Sequence, residues 1–264
     1  MLSRSRQRQQ DERQAWESAA ASAPPFSPRD LAGKVTAWLR LAASAQASGE
    51  WTDHVDVLNS NPASINSARR PAVGASANGL PVATYITNDC VSWPIAASNY
   101  STTEYGVAFW MNVDAFGTIS IFEIGTGTAG AAVRSFELEL VSSQRMKFNV
   151  FDAASGAKTW QTAASAFPAA GTWTWVRTHY SSIGATDTDK GKFYVNGVQL
   201  GSLSITGAST GIMRSNAGNI LLGNYNNGAA LQAYAGKLGP NLFILNSDLT
   251  AAEETALMNF ERPT

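Results

Sequence analysis

Cysteine is almost absent from this chain. Cys90 stands alone among 264 residues, so no internal disulfide can form, and its plainest reading is a small buried hydrophobe rather than a reactive thiol. Histidine is nearly as scarce. His54 and His179 have no second His, Cys or acid at ligand spacing, which argues against a zinc centre. Neither is placed by a serine-hydrolase pattern, since no G-x-S-x-G occurs. Charged residues make up only 15% and the net charge is −1, a balance that argues against a nucleic-acid partner. No apolar run is long enough to span a membrane. The first residues, M-L-S-R-S-R-Q-R-Q-Q-D-E-R, lack the apolar stretch of a secretory signal. Heptads and collagen-like triplets are missing too, so no fibre shaft is expected. Together these absences predict a chain folded in a reducing cytoplasm without export.

What is present is β-forming. Hydrophobic residues reach 44%, and Gly, Ser, Thr, Ala and Asn are abundant, a composition poor in helix formers and rich in turns. The length suits one large β domain. Period-2 patterning predicts strands near residues 34–40, 82–86, 106–113, 118–124, 135–141, 145–151, 173–180, 192–195, 198–203, 219–222 and 238–246. The clearest local signal is Gly191–Gly201, G-K-F-Y-V-N-G-V-Q-L-G. Asn196-Gly197 predicts a type I′ hairpin, because both central residues of that turn need positive φ. That turn pairs Val195 with Val198 and Tyr194 with Gln199, and puts Phe193, Val195, Val198 and Leu200 on one apolar face. Near the C-terminus, Thr250 with Glu253 three residues on forms a capping box, which predicts a short helix to about Phe260.

Residues 1–30 are of different material, rich in Arg and Gln and ending in Pro24, Pro25 and Pro28. Ser5 to Ala21 allows a helix whose one large apolar residue is Trp16. We read residues 1–30 as an anchoring arm, extended or helical, that binds neighbouring subunits or another protein through Arg4, Arg6, Arg8, Arg13 and Trp16. Residues 31–264 form the folded domain.

Five pieces in order carry a family resemblance: Gly171–Tyr180 (G-T-W-T-W-V-R-T-H-Y), the Y-V-N-G hairpin, Ile220–Asn224 (I-L-L-G-N), Tyr234–Asn246, and Asp248–Glu254 (D-L-T-A-A-E-E). This order resembles the laminin G-like, concanavalin A-like sandwich family over roughly residues 101–260. Upstream, Val35–Arg40 (V-T-A-W-L-R), Trp51-Thr52-Asp53, Arg70-Pro71 and Asn78-Gly79-Leu80-Pro81-Val82 resemble the lead-in of such domains in bacteriophage structural proteins. The chain departs from that text at Arg40, where the family often has Asp, and at His54-Val55, where it often has Ser-Gly. The resemblance implies an all-β, concanavalin A-like (laminin G-like) antiparallel β-sandwich, or jelly roll, with an N-terminal arm and a short C-terminal helix.

Several residue sets are candidates for chemistry. Phe136-Glu137-Leu138-Glu139-Leu140 puts two glutamates on one strand face, about 7 Å apart by the strand rise, a pairing that glycosidases use. Glucanases of this broad fold carry E-x-D-x-x-E, but here Leu138 and Ser142 replace the other two acids. A turn centred on Ser143 instead sets Glu139 opposite Lys147, as a solvated ion pair, and packs Phe136, Leu138 and Leu140 against Met146, Phe148 and Val150. Gly125-Thr126-Gly127-Thr128-Ala129-Gly130 matches G-x-G-x-x-G, but a strand pattern follows where a dinucleotide fold needs a helix. Asp187-Thr188-Asp189, and Asp53 with Asp56, offer oxygen ligands for a rim calcium; the solvated turn is the favoured reading, and no cofactor is expected. Trp38, Trp110 and Trp173 are assigned to the core. Trp93 and Trp160, near predicted loops, could stack on sugar rings. Trp175 and Arg177 alternate with core-facing Val176, Thr178 and Tyr180, and are expected to form an exposed patch for a protein partner, or one covered by the arm.

The sequence thus predicts a non-enzymatic bacteriophage virion protein assembled in the host cytoplasm. Its leading role is capsid decoration or attachment through the arm, with other virion proteins and copies of itself as partners. The alternative is a carbohydrate-binding host-adhesion module that holds surface glycans; a glycosidase is a third reading. Neither nucleic acid nor membrane is expected as a partner.

Overall fold

The computed structural model describes residues 26–31, 33–41, 51–53, 71–86, 89, 91–95, 101–125, 134–154, 156–207, 213–214, 218–223 and 234–264. Arg4, Arg6, Arg8, Arg13 and Trp16 therefore lie outside the described residues, as do Cys90 and His54. After a 3-10 turn at Pro28–Leu31 the chain runs through β1 (Val35–Leu41), β2 (Trp51–Asp53), β3 (Ala72–Ala75), β4 (Pro81–Tyr85), β5 (Val91–Ile95), β6 (Glu104–Val113), β7 (Ile119–Gly125) and β8 (Arg134–Val141). It continues through β9 (Arg145–Phe151), β10 (Ala157–Thr162), β11 (Thr174–Ser181), the one-turn helix α1 (Asp187–Lys190), β12 (Gly191–Val195) and β13 (Val198–Gln199). It closes with β14 (Leu203–Thr206), β15 (Gly218–Leu222), β16 (Gly236–Leu245) and α2 (Ala251–Asn259).

These strands form an antiparallel sandwich. One sheet runs β13-β12-β11-β6-β16-β1-β2, with β4 also on β16 and β3 on β4; the second runs β14-β10-β9-β8-β7-β15-β5. The alternation read from the sequence sorts side chains between three places. Val107, Phe109, Met111, Val176, Leu242 and Ile244 of the first sheet meet Phe122, Phe136, Leu138, Phe148, Trp160 and Ile220 of the second in the main core. The other face of the first sheet carries Trp38, Trp110, Trp175 and Phe243, and is covered by Leu257 of α2 with Leu31 and Leu249. The other face of the second sheet is polar and is described below.

Local chemistry fixes the details. The hairpin has the predicted pairs Tyr194 with Gln199 and Val195 with Val198, and φ is 51° at Asn196 and 79° at Gly197. Phe193 and Val195 are buried, but Val198 is 65% exposed. The expected four-residue apolar face fails there because β13 is a two-residue edge strand with nothing beyond it. The predicted strand at 198–203 is in fact split, since β14 crosses to the second sheet and pairs with β10. Ser143 and Gln144 turn the β8–β9 hairpin at φ 63° and 54°, which yields the expected Glu139–Lys147 and Val141–Arg145 pairs. Gly125 ends a strand whose partner is antiparallel β8, so the glycine-rich match lies between hairpin strands, not before a helix. Thr250 and Glu253 form the predicted capping box, and α2 ends at Asn259 with Phe260 as its cap.

Candidate functional site

The β7–β8–β9–β10 ladder lines up its outward residues in two rows across the strands. In one row Glu123 pairs with Glu137, Glu137 with Asn149 and Asn149 with Thr159. In the next, Ser120 pairs with Glu139, Glu139 with Lys147 and Lys147 with Gln161. Neighbouring strands lie about 4.8 Å apart, so the rows form a polar floor running across the sheet. Arg134, Glu137, Glu139, Lys147, Asn149 and Phe151 line a depression of about 300 Å³ on this floor, at the small end of ligand pockets.

The expected Glu139–Lys147 ion pair forms, but its carboxylate is buried rather than solvated and belongs to a carboxylate triad. Glu123, Glu137 and Glu139 are 0%, 1% and 3% exposed. The Asn149 amide nitrogen donates to both Glu137 Oε2, at 3.0 Å, and Glu139 Oε1, at 2.7 Å. Thr159 fixes the flip of that amide by donating to Asn149 Oδ1 at 2.7 Å. Arg134 Nη1 donates to Glu137 Oε2 at 2.5 Å, with its guanidinium 5.0 Å from the Phe151 ring centre. Lys147 Nζ sits 3.0 Å from Glu139 Oε1. Among the described residues no donor reaches Glu137 Oε1 or either oxygen of Glu123.

These contacts set where protons sit. Burial, and then the charge of Glu137, push the Glu123 carboxyl up to about 9, against the pull of Arg134. Burial, and then Glu139, push Glu137 up to about 7, while Arg134 and Asn149 pull it down. Two cations and one amide therefore serve three carboxyls, and at neutral pH Glu123 keeps its proton. Perturbed carboxyls in a depression mark a functional-site candidate on physical grounds.

The other candidates fall elsewhere. Trp160 is fully buried, stacked 5.0 Å from Phe148, with its indole N–H donating to the Asp187 carbonyl at 2.7 Å. Its expected sugar contact is corrected: residues 157–162 are strand β10, not a loop, and Trp160 is a core residue. Trp93 lies in β5, opposite Ile220; its side chain is outside the described residues. Trp175 and Arg177 do point away from the main core, but both are 0% exposed, so the exposed patch is corrected too. Helix α2 and its lead-in cover them. Trp175 Nε1 donates to Glu254 Oε1 at 2.6 Å, and Arg177 pairs with Glu254 and, at 2.7 Å, with Asp248. Arg177 also lies 3.5 Å over the Tyr194 ring. Trp38 and Trp110 are buried on this same helix-covered face rather than between the sheets, with Trp173 packed beside them. Asp187 and Asp189 sit in α1, where Lys158 takes the Asp187 carboxylate at 2.7 Å and Asp189 completes a capping box with the N-cap Thr186. Among the described residues no group of three or more His, Cys, Asp or Glu is arranged to hold a metal ion. The sequence reading missed Glu123, Arg134 and Asn149 as members of the site.

Two packed antiparallel sheets, closed by a short C-terminal helix, make a concanavalin A-like sandwich. The concanavalin A-like lectin/glucanases superfamily model matches residues 86–253, and the chain belongs to that family. No curated protein matches the sequence. Domain 4 of the extracellular arabinanase AbnA of Geobacillus stearothermophilus, solved with arabinotriose, is similar at 16% identity and a TM-score of 0.56, over 85% of this chain and 98% of that domain. A botulinum neurotoxin type C structure, whose cell entry depends on interaction with two ganglioside molecules, is similar at 11% identity and a TM-score of 0.56, over 90% of this chain and 54% of that one. The receptor-binding domain of botulinum neurotoxin type G is similar at 12% identity and a TM-score of 0.51, over 86% of this chain. The chain spans about half the length of these neurotoxin domains.

Proposed function

We propose that the chain is a glycan-binding module without catalytic activity, carried on a bacteriophage virion. The observation that carries the reading is the two-row polar floor, whose Arg134, Glu137, Glu139, Lys147 and Asn149 line a depression. Sugar hydroxyls both donate and accept, and so can meet carboxylates and the partly exposed Lys147 ammonium of such a floor. The glycan-linked proteins of the same fold, one holding arabinotriose and one dependent on gangliosides, are in keeping with it. Hydrolysis is disfavoured by the carboxyl geometry. Glycosidase carboxyls flank the scissile bond about 5 Å or more apart, whereas Glu137 and Glu139 lie side by side on one strand and share one amide donor.

The virion setting rests on the lead-in text between Val35 and Val82. The arm proposal fits the same picture. Phe26 packs on Phe260, ring centres 6.2 Å apart, on the helix-covered side of the first sheet. An arm leaving there and fixed to a particle keeps the depression of the second sheet facing outward. Purified particles should therefore contain the chain. The isolated protein should be retained on host cell-envelope polysaccharide and release no reducing sugar. Retention should be lost in Glu137→Gln/Glu139→Gln, with circular dichroism checking that the variant is folded at the assay temperature. Release of sugar by the wild type, abolished in the double variant, would overturn the non-catalytic reading; equal retention of both proteins would overturn the site.

A further inference from the structure

Resting on that reading, we infer that the polar floor takes an acidic glycan, whose carboxylate, sulfate or phosphate group docks on Lys147 with Arg145 and Arg134 to either side. The charges of this face are sorted by depth. Phe136, Leu138, Met146, Phe148 and Val150 point into the core, so Glu137, Glu139, Arg145, Lys147 and Asn149, which alternate with them, point outward. The three carboxyls of the face, on Glu123, Glu137 and Glu139, are at most 3% exposed. The cations lie above them. The Lys147 side chain is 26% exposed and that of Arg134 15%, and Arg145, the next outward residue of β9, is half-buried. Beyond them the floor is neutral: Thr159 and Gln161 of β10 pair with Thr206 and Ser204 of β14. Among the described outward residues of β7 to β10 and β14, the charge that solvent meets is therefore positive.

Lys147 is the anchor. An ammonium carries three N–H donors. Among the described residues Glu139 is the one partner of Lys147, with Oε1 3.0 Å from Nζ, so donors are left on the solvent side. An anion in contact there has the ammonium between itself and Glu139, and attraction at contact exceeds repulsion from the charge behind. The deeper carboxyls oppose little. Burial keeps the Glu123 proton in place at neutral pH, and pushes Glu137 up to about 7, where it is partly protonated. Arg134 and Lys147 thus outweigh the ionised carboxylates of the floor. Glu137 and Glu139 are positioning residues: they hold Arg134 and Lys147 from below, and a site organised before its ligand arrives binds more tightly. The double glutamine variant loses retention for that reason, although it removes negative charge.

The test is calorimetry on the full chain at pH 7 with trigalacturonate and sialyllactose, each against its own methyl ester. The two members of a pair share one skeleton and differ in charge. The acid of at least one pair should bind about tenfold more tightly than its ester. That ratio should shrink as sodium chloride rises from about 0.05 to about 0.5 M, because exposed charges are screened. Lys147→Gln should remove most of the ratio, and Lys147→Arg, which keeps the charge, should retain it. Arg145→Gln should cut it about threefold. Damage to folding would not separate acid from ester. Esters that bind as tightly as the acids, or a ratio unmoved in Lys147→Gln, overturn the inference and leave the glycan-binding reading standing. If none of the four probes binds, envelope polysaccharide with its carboxyls reduced and its phosphates and sulfates removed decides. Retention lost with those charges supports the inference, and retention kept overturns it. A wild type that binds neither the probes nor the untreated polysaccharide overturns both readings.

Discussion

Arg177→Met should destabilise the fold by about 3–5 kcal/mol, the range for breaking a buried ion pair by removing one partner. Arg177 is fully buried on the helix-covered face of the first sheet. It holds Glu254, which is 3% exposed, and Asp248 at the lead-in to α2, and it stacks on Tyr194. Methionine keeps much of the apolar stem but leaves the Glu254 carboxylate in the interior with only the Trp175 N–H. The damage should therefore sit mainly in the stranded charge. Arg177→Met/Glu254→Gln removes that charge and keeps an acceptor for Trp175, so it should recover more than half of the loss. Urea denaturation of the two variants and of Glu254→Gln alone completes the cycle. A single-variant loss below about 1 kcal/mol, within the range of exposed pairs, would mean that apolar contacts alone dock α2. The consequence would reach beyond stability, because α2 shields Trp38, Trp110 and Trp175 from solvent, and Phe26 enters beside its end.

How far the sequence discloses this site depends on distance along the chain. The β8–β9 turn at Ser143 is local, so the Glu139–Lys147 pair and the apolar partners of Phe136, Leu138 and Leu140 are all legible. The burial of that pair is not, because it depends on β7 and β10. Glu123 is hidden by a bulge. Strict alternation along Ile119–Gly125 groups Ser120 with Phe122 and Ile124, but the register shifts between Ser120 and Phe122. Ile121 and Phe122 both enter the core, and Ser120 and Glu123 come to the same outward face. Bulges re-aim side chains in this way, and nothing in I-S-I-F-E-I announces one. Ala157–Thr162 has one large apolar residue and no alternation, so Trp160 looks like a loop residue until β9 and β14 flank it. At Trp175 and Arg177 the parity is legible and the cover is not. The capping box places α2 in sequence, but its docking site comes from contacts such as Trp175–Glu254, separated by 79 residues.

Between about pH 6.5 and 9 the folded chain should lose stability as pH rises, and Glu123→Gln should remove much of that loss. Burial, and then the Glu137 charge, raise the Glu123 carboxyl to about 9 in the fold from 4.5. Across that interval the folded chain holds a proton that the unfolded chain has released, so rising pH favours unfolding until both states are ionised. One such group accounts for at most about 1.4 kcal/mol per pH unit, shared with Glu137, which is raised to about 7 and titrates with it. Glutamine has nearly the shape of the protonated acid and no charge to lose. The variant should match the wild type near pH 5 and exceed it near pH 9, by on the order of 2–3 kcal/mol. The acid side has the opposite sign. Burial lowers His179 to about 4 from 6.5, so the unfolded chain takes up its proton first and stability falls as pH drops from 6.5 toward 4. The two intervals overlap between pH 4.5 and 6.5, where their slopes oppose each other, so the loss due to Glu123 is unopposed by His179 only above about pH 6.5. Urea melts of wild type and Glu123→Gln from pH 5 to 9 decide the matter. Parallel curves would mean that Glu123 is ionised in the fold, and that three charged carboxyls share the cations Arg134 and Lys147.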